Sequence, residues 1–238
     1  MIENDHIVTS FDEDLGRIDS IIAEMGGLAE RQLSDAVDAL VRRDVELAES
    51  VIQSDKKIDA LEEELDNFTI RVLALRQPMA DDLRAVVVAL KMASNLERIG
   101  DYAKNVAKRT MTLSTMERIG QVSPSIRRMA RQVQEMISNV LDAYAMHDLA
   151  KANSVRLRDE EVDLMHTSLF RELLTYMMED PRNITACTHM LFIAKNVERM
   201  GDHVTSIAEN VHFLVTGEMP ADERPKNDLS SQTVVVQD

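Results

Sequence analysis

The chain has 238 residues, 45% of them hydrophobic, enough to bury a sizeable core in one or two domains. Its formal charge of −15 argues against a nucleic-acid partner, because phosphate recognition needs a basic face. The N-terminus has no basic and apolar leader, and charges interrupt every apolar run short of a membrane span, so a cytoplasmic protein with at most peripheral membrane contact is expected.

Seven glycines, five prolines, no tryptophan and 3% aromatics leave long unpunctuated stretches rich in Leu, Ala, Val, Met, Glu and Arg. That balance predicts long packed helices and an all-α fold. The first helix is expected to start near Ser10, where Ser10 and Glu13 have capping-box spacing. Phe11, Leu15, Ile18, Ile22, Met25, Ala29, Leu33, Ala36 and Leu40 then recur at three- and four-residue steps, one apolar stripe on a helix. Arg42 and Arg43 suit its last turn, and Asp44 suits the N-cap of a second, antiparallel helix after a very short turn. That helix runs to about Gln77, where Pro78 stops it and can open the third from its first turn. The third continues to about Met111, and a linker from Thr115 to Ser123 leads to Pro124 and the fourth helix.

The fourth helix ends near Met146-His147, and Asp148 repeats the cap of Asp44. Pro181 repeats Pro78, and the sixth helix ends near Thr216 at Gly217. The expected organisation is a three-helix bundle over residues 1–118, a second over 119–217, and a flexible polar tail over 218–238 with a short Val234-Val235-Val236 run. The single cysteine, Cys187, lies in an apolar run and reads as a small buried hydrophobe.

The two halves repeat each other. Asn95-Leu96-Glu97-Arg98-Ile99-Gly100-Asp101 recurs as Asn196-Val197-Glu198-Arg199-Met200-Gly201-Asp202, and Asp55 and Asp59 recur as Asp159 and Asp163. The period of roughly one hundred residues is a duplicated domain, not a solenoid unit. What was copied includes acids on core faces. Val51, Ile58, Leu65 and Val72 centre the stripe of the second helix, with Asp55 and Glu62 close to that centre and Asp59 at its edge. In the third helix Leu83, Val86, Leu90, Ala93, Glu97, Gly100, Lys104 and Ala107 share a stripe, with Asp101 one turn beyond Glu97. Antiparallel neighbours bring these turns level, giving four or five carboxylates in each copy.

Unpaired, such a cluster repels itself and raises its own pKa values. A metal cation is the expected solution, since carboxylates are hard oxygen ligands. The candidate ligands are Glu97, Asp101, Asp55, Asp59 and Glu62 in the first copy and Glu198, Asp202, Asp159 and Asp163 in the second. Pairing with Arg98 and Arg199, or a solvated acidic face, are the competing readings. His166 stands where the first copy has Glu62, so it is a further ligand candidate, although a lone helix histidine is more often structural. Gly100 and Gly201 would let a neighbouring group approach closely. There is no Glu-x-x-His pair of the ferritin-like kind, no phosphate-cradling glycine loop and no recognisable nucleophile setting, so a catalyst is not expected.

Taken in order, Gln32-Leu33-Ser34-Asp35-Ala36, Asp55-Lys56-Lys57-Ile58-Asp59, Arg76-Gln77-Pro78, Leu96-Glu97-Arg98-Ile99-Gly100-Asp101 and Leu174-Thr175-Tyr176-Met177-Met178-Glu179-Asp180 resemble the PhoU family along nearly the whole chain. The resemblance implies two PhoU-type three-helix bundles with a pseudo-twofold relation. It implies acidic motifs that hold iron, zinc, manganese or magnesium in some members. It also implies a cytoplasmic adaptor between the ATP-binding subunit of a phosphate transporter and a phosphate-sensing histidine kinase, repressing the starvation response and phosphate uptake. A homodimer is the expected assembly. The alternative from another class is a metal-storing or metal-dependent hydrolytic helical bundle.

Overall fold

A computed structural model describes residues 2–120 and 122–221, with side chains from Phe11 onward. Among the described residues there are six long helices: α1 Ile2–Arg42, α2 Val45–Arg76, α3 Asp81–Leu113, α4 Val122–Met146, α5 Leu149–Glu179 and α6 Ile184–Thr216. A single 3-10 turn, Pro181–Asn183, precedes α6. No strand occurs among these residues. The Val234-Val235-Val236 run and most of the expected tail lie outside them.

The two shortest connections are built alike. At the end of α1, Arg43 takes φ 59° and the Asp44 N–H donates back to the Ala39 carbonyl at 2.9 Å. The Asp44 carboxylate then accepts the Leu47 N–H at 2.9 Å and caps α2. At the end of α4, His147 takes φ 51°, the Asp148 N–H reaches the Ala143 carbonyl at 2.9 Å, and Asp148 accepts from the Lys151 N–H at 2.9 Å. One residue thus ends a helix in the left-handed conformation while the next starts the following helix. The hairpins are therefore as tight as the Asp44 and Asp148 caps predict.

Two helix starts differ from expectation. Helix α1 begins at Ile2, because nothing in residues 2–9 is a proline or glycine that would halt it, so Ser10 lies inside the helix. Helix α3 begins at Asp81, not at Pro78. Gln77 and Ala80 both take positive φ (47° and 50°), so the chain needs Pro78 and Met79 to reverse direction before a helix can start.

Helices α1, α2 and α3 pack on one another, as do α4, α5 and α6. The halves join through α3 against α6 and α1 against α4. Both junctions run antiparallel: Asn95 meets His203 and Arg109 meets His189, while Tyr144 meets Asp19 and Arg127 meets Asp38. The α1 stripe is buried as its spacing predicts, with Ile18, Ile22, Met25, Ala29, Leu33 and Ala36 essentially inaccessible. Each fully buried Ile, Leu or Met contributes about 1.5–3 kcal/mol relative to exposure. Gly26 permits a close α1–α4 approach, because a Cβ there would lie 2.5 Å from the Leu141 methyl. Leu83 departs from the expected stripe: it is 41% exposed at the first turn of α3. None of these helices is long and apolar enough to cross a membrane.

Candidate functional site

Helix α2 presents Asp55 to the flank of α3 at Gly100, whose missing side chain makes room chiefly for Gln32 and Ile58. A Cβ on Gly100 would stand 3.4 Å from Asp55 Oδ1 and 3.0 Å from Gln32 Oε1. Gln32 belongs to the same polar pocket, its Nε2 donating to Ser54 Oγ at 3.1 Å. The second copy repeats the device, with Asp159 Oδ1 3.1 Å from the place a Gly201 Cβ would take. Both glycines lie beside a carboxylate of the preceding helix, and at Gly201 the approach is the tighter one.

In the first copy the five expected acids do act on one another, from different depths. Asp55 is buried, Glu62, Glu97 and Asp101 are partly buried, and Asp59 is exposed at the edge of its stripe. The Lys104 ammonium donates to Asp55 Oδ2 and, at 3.0 Å, to Asp101 Oδ1, tying α2 to α3. Hydrogen bonding to Asp55 raises the Lys104 pKa, so the group stays an ammonium. Burial pushes Asp55 upward, and Lys104 opposes that rise. Glu97 is pushed up to about 7, first by burial and then by the charges of Asp101 and Glu62, with a hydrogen bond to Asp101 adding to the rise. Glu62 is raised by burial and by the neighbouring Asp66. Self-repulsion in this cluster is thus relieved by an internal ammonium, and burial with the neighbouring charges favours a neutral Glu97.

Arg98 contributes less. It stands 3.6 Å from Glu97 and 3.8 Å from Asp101 with 58% of its side chain exposed, a loose and solvent-screened pairing. Arg199 instead lies over the Tyr102 ring at 6.0 Å. Tyr102 stacks obliquely on His203, its counterpart in the repeat, at 5.6 Å where α3 crosses α6.

The second copy is more deeply buried. Asp159, Asp163, His166 and Glu198 are all at most 5% exposed, and Asp202 is partly buried. Glu198 Oε1 accepts from Lys195 Nζ at 2.8 Å, whereas its buried Oε2 has no hydrogen-bond partner. Thr205 occupies the repeat position of Lys104, and its hydroxyl donates to the Gly201 carbonyl at 3.0 Å, within its own helix. The same repeat therefore carries a cation across the helix pair in one half and a neutral side chain in the other. Among the described residues, no three or more His, Cys, Asp or Glu side chains converge where a metal ion could sit.

Two partners of the acids, Lys104 and Lys195, and a polar neighbour of Gly100, Gln32, were not singled out from the sequence. Lys104 had a visible signal, a lysine on the apolar stripe one turn after Gly100. Lys195 precedes Glu198 by three residues, the spacing of a helical ion pair. Gln32 offered no signal, because its role depends on the packing of α1 against Gly100.

Comparison with known proteins bears on the whole chain. The family model described as the PhoU domain matches it twice, over residues 22–110 and 126–211. The phosphate-specific transport system accessory protein PhoU homolog of Caulobacter vibrioides (strain NA1000 / CB15N) is 49% identical over 228 residues, covering 96% of this chain and 99% of that protein. The protein so named from Rhizobium meliloti (strain 1021) is 48% identical over 226 residues, covering 95% of each. Among solved structures, PhoU from Pseudomonas aeruginosa superposes with a TM-score of 0.85 at 40% identity, covering 87% of this chain and all of that one. The phosphate transport system regulatory protein PhoU from Streptococcus pneumoniae gives a TM-score of 0.82 at 30% identity, over 88% and 99% of the two chains.

Proposed function

The chain belongs to the PhoU family, and from that membership we propose that it is a negative regulator of the phosphate-starvation response and of phosphate uptake. It acts by binding, as an adaptor between the ATP-binding subunit of a phosphate transporter and a phosphate-sensing histidine kinase. The observation that carries this reading is the match of both halves to the family, together with near-half identity along almost the full length of proteins named as phosphate transport accessories. Near-complete coverage of those proteins favours the same work in the same system over a metal store or hydrolase assembled on a shared fold.

A cation is part of the proposal, and the copies suit it differently. In the second, the orphaned buried Glu198 Oε2 and the close approach of Asp159 at Gly201 fit a hard cation. In the first, the Lys104 ammonium stands between Asp55 and Asp101, and the residues do not fit. A bound cation would supply positive charge on a protein of net −15, letting an acidic partner surface dock. Glu198 and Asp202 would hold it, with Asp159 and Asp163 from α5, after turning toward one another, since these side chains do not converge in the structure.

The test is a starvation-promoter reporter in cells lacking the gene, grown in excess phosphate, with pull-down of the transporter ATPase and the kinase by the intact protein. Derepression in the mutant and retention of at least one partner are expected. A silent reporter with neither partner retained would discard the regulatory reading in favour of the metal-store alternative.

A further inference from the structure

We propose that Lys104 is a built-in cation that closes the first acidic cluster to metal ions, so that any divalent ion the protein holds sits in the second half. The inference is independent of the regulatory reading, since it is read out as metal content.

The geometry is that of a counter-ion in place. The Lys104 ammonium hydrogen-bonds carboxylates from two helices, Asp55 on α2 and Asp101 on α3. Asp55 is 2% exposed and lies beside Gly100, and the Lys104 ammonium is hydrogen-bonded to its Oδ2. A dication entering here must displace a primary ammonium from two carboxylates or sit against it at the cost of like-charge repulsion. Magnesium, which gives up its water reluctantly, is the ion such a site excludes most firmly.

The repeat supplies an internal control. The second copy keeps the Glu-x-x-x-Asp pair and the glycine, but has Thr205 where the first has Lys104, and that hydroxyl is spent on its own helix backbone. Lys195 approaches Glu198 from the preceding turn of α6, with 38% of its side chain exposed. Lys104 is 26% exposed and tied to a second helix through a nearly inaccessible aspartate.

Manganese titrations followed by electron paramagnetic resonance, with elemental analysis of the dialysed protein, test this in the full chain. Lys104→Thr, which copies Thr205 into the first half, is expected to bind about one Mn²⁺ more per chain than the parent. Lys104→Gln keeps hydrogen-bond donors without the charge and should show the same gain, serving as the second probe if the threonine variant fails to fold. The Asp101→Asn variant of the parent should keep its manganese content unchanged, whereas Asp101→Asn added to Lys104→Thr should remove the gained ion. No gain in either Lys104 variant, or loss of manganese from the parent on Asp101→Asn, would overturn the proposal.

Discussion

Single side chains decide how the acid-bearing core tolerates its own charge. Glu97 has a folded pKa of about 7 against an ordinary 4.5, so the folded protein holds a proton that the unfolded chain releases earlier. Below pH 4.5 both states are protonated and Glu97 costs nothing. As pH rises from 4.5 through 7 the native state loses stability, by an upper bound of about 3 kcal/mol for a shift of this size. Glu97→Gln keeps the donor to Asp101 and removes the charge. Urea unfolding with chelator present is expected to show the variant more stable than its parent by about 2 kcal/mol at pH 8 and little changed at pH 5. An equal or lower midpoint at pH 8 would mean that Glu97 is relaxed by solvent.

Helix by helix, the same residue type serves opposite ends. Gly26 and Gly27 are adjacent in α1, but a Cβ on Gly26 would strike Leu141 of α4 at 2.5 Å, while one on Gly27 would meet nothing within 4 Å. Alanine in a helix interior is favoured over glycine by about 1 kcal/mol. Gly27→Ala should therefore raise stability by about 0.5–1 kcal/mol in thermal or urea melts. Gly26→Ala should forfeit that gain by pushing Leu141 out of place. Equal stabilisation by both would show that α1 and α4 have room to part. The α1–α2 and α4–α5 turns follow a related economy: a non-glycine residue accepts positive φ so that the next can cap the following helix.

At the scale of the molecule, the halves are two bundles with a shared seam. Helices α3 and α6 cross antiparallel with Tyr102 against His203 and Asn95 hydrogen-bonded to His203 at 2.8 Å. On the other side Tyr144 donates to Asp19 at 2.6 Å across the α1–α4 junction. Helix α6 packs as extensively on α3 as on α5, so parting the halves would expose core surface on both. Unfolding is expected as a single transition, with helix content by circular dichroism and the fluorescence of Tyr102, Tyr144 and Tyr176 falling together. Two separated midpoints would show that each bundle stands alone.

How much was legible from sequence follows from the range of each interaction. Periodicity placed the α1 core, Asp44 and Asp148 declared their caps, and the duplicated Glu-Arg-x-Gly-Asp peptide marked both acidic clusters, because helix faces, caps and repeats are written within a few neighbouring positions. Two starts were misplaced for want of a local stop signal before Ser10 and because the reversal after Gln77 consumes Pro78. The fate of the acids was out of reach. Glu97 and Asp101 look alike in the two repeats, yet Lys104 reaches across to Asp55 in one half, and Thr205 folds back on its own helix in the other. A carboxylate's charge state depends on burial and on which group meets it from another helix. The sequence by itself determined six helices in two copies and the residues that bear the charge; only the packing of α2 on α3 and α5 on α6 decided which of those charges has a counter-ion, because electrostatic energy in a protein interior depends on distance and depth, not on order along the chain.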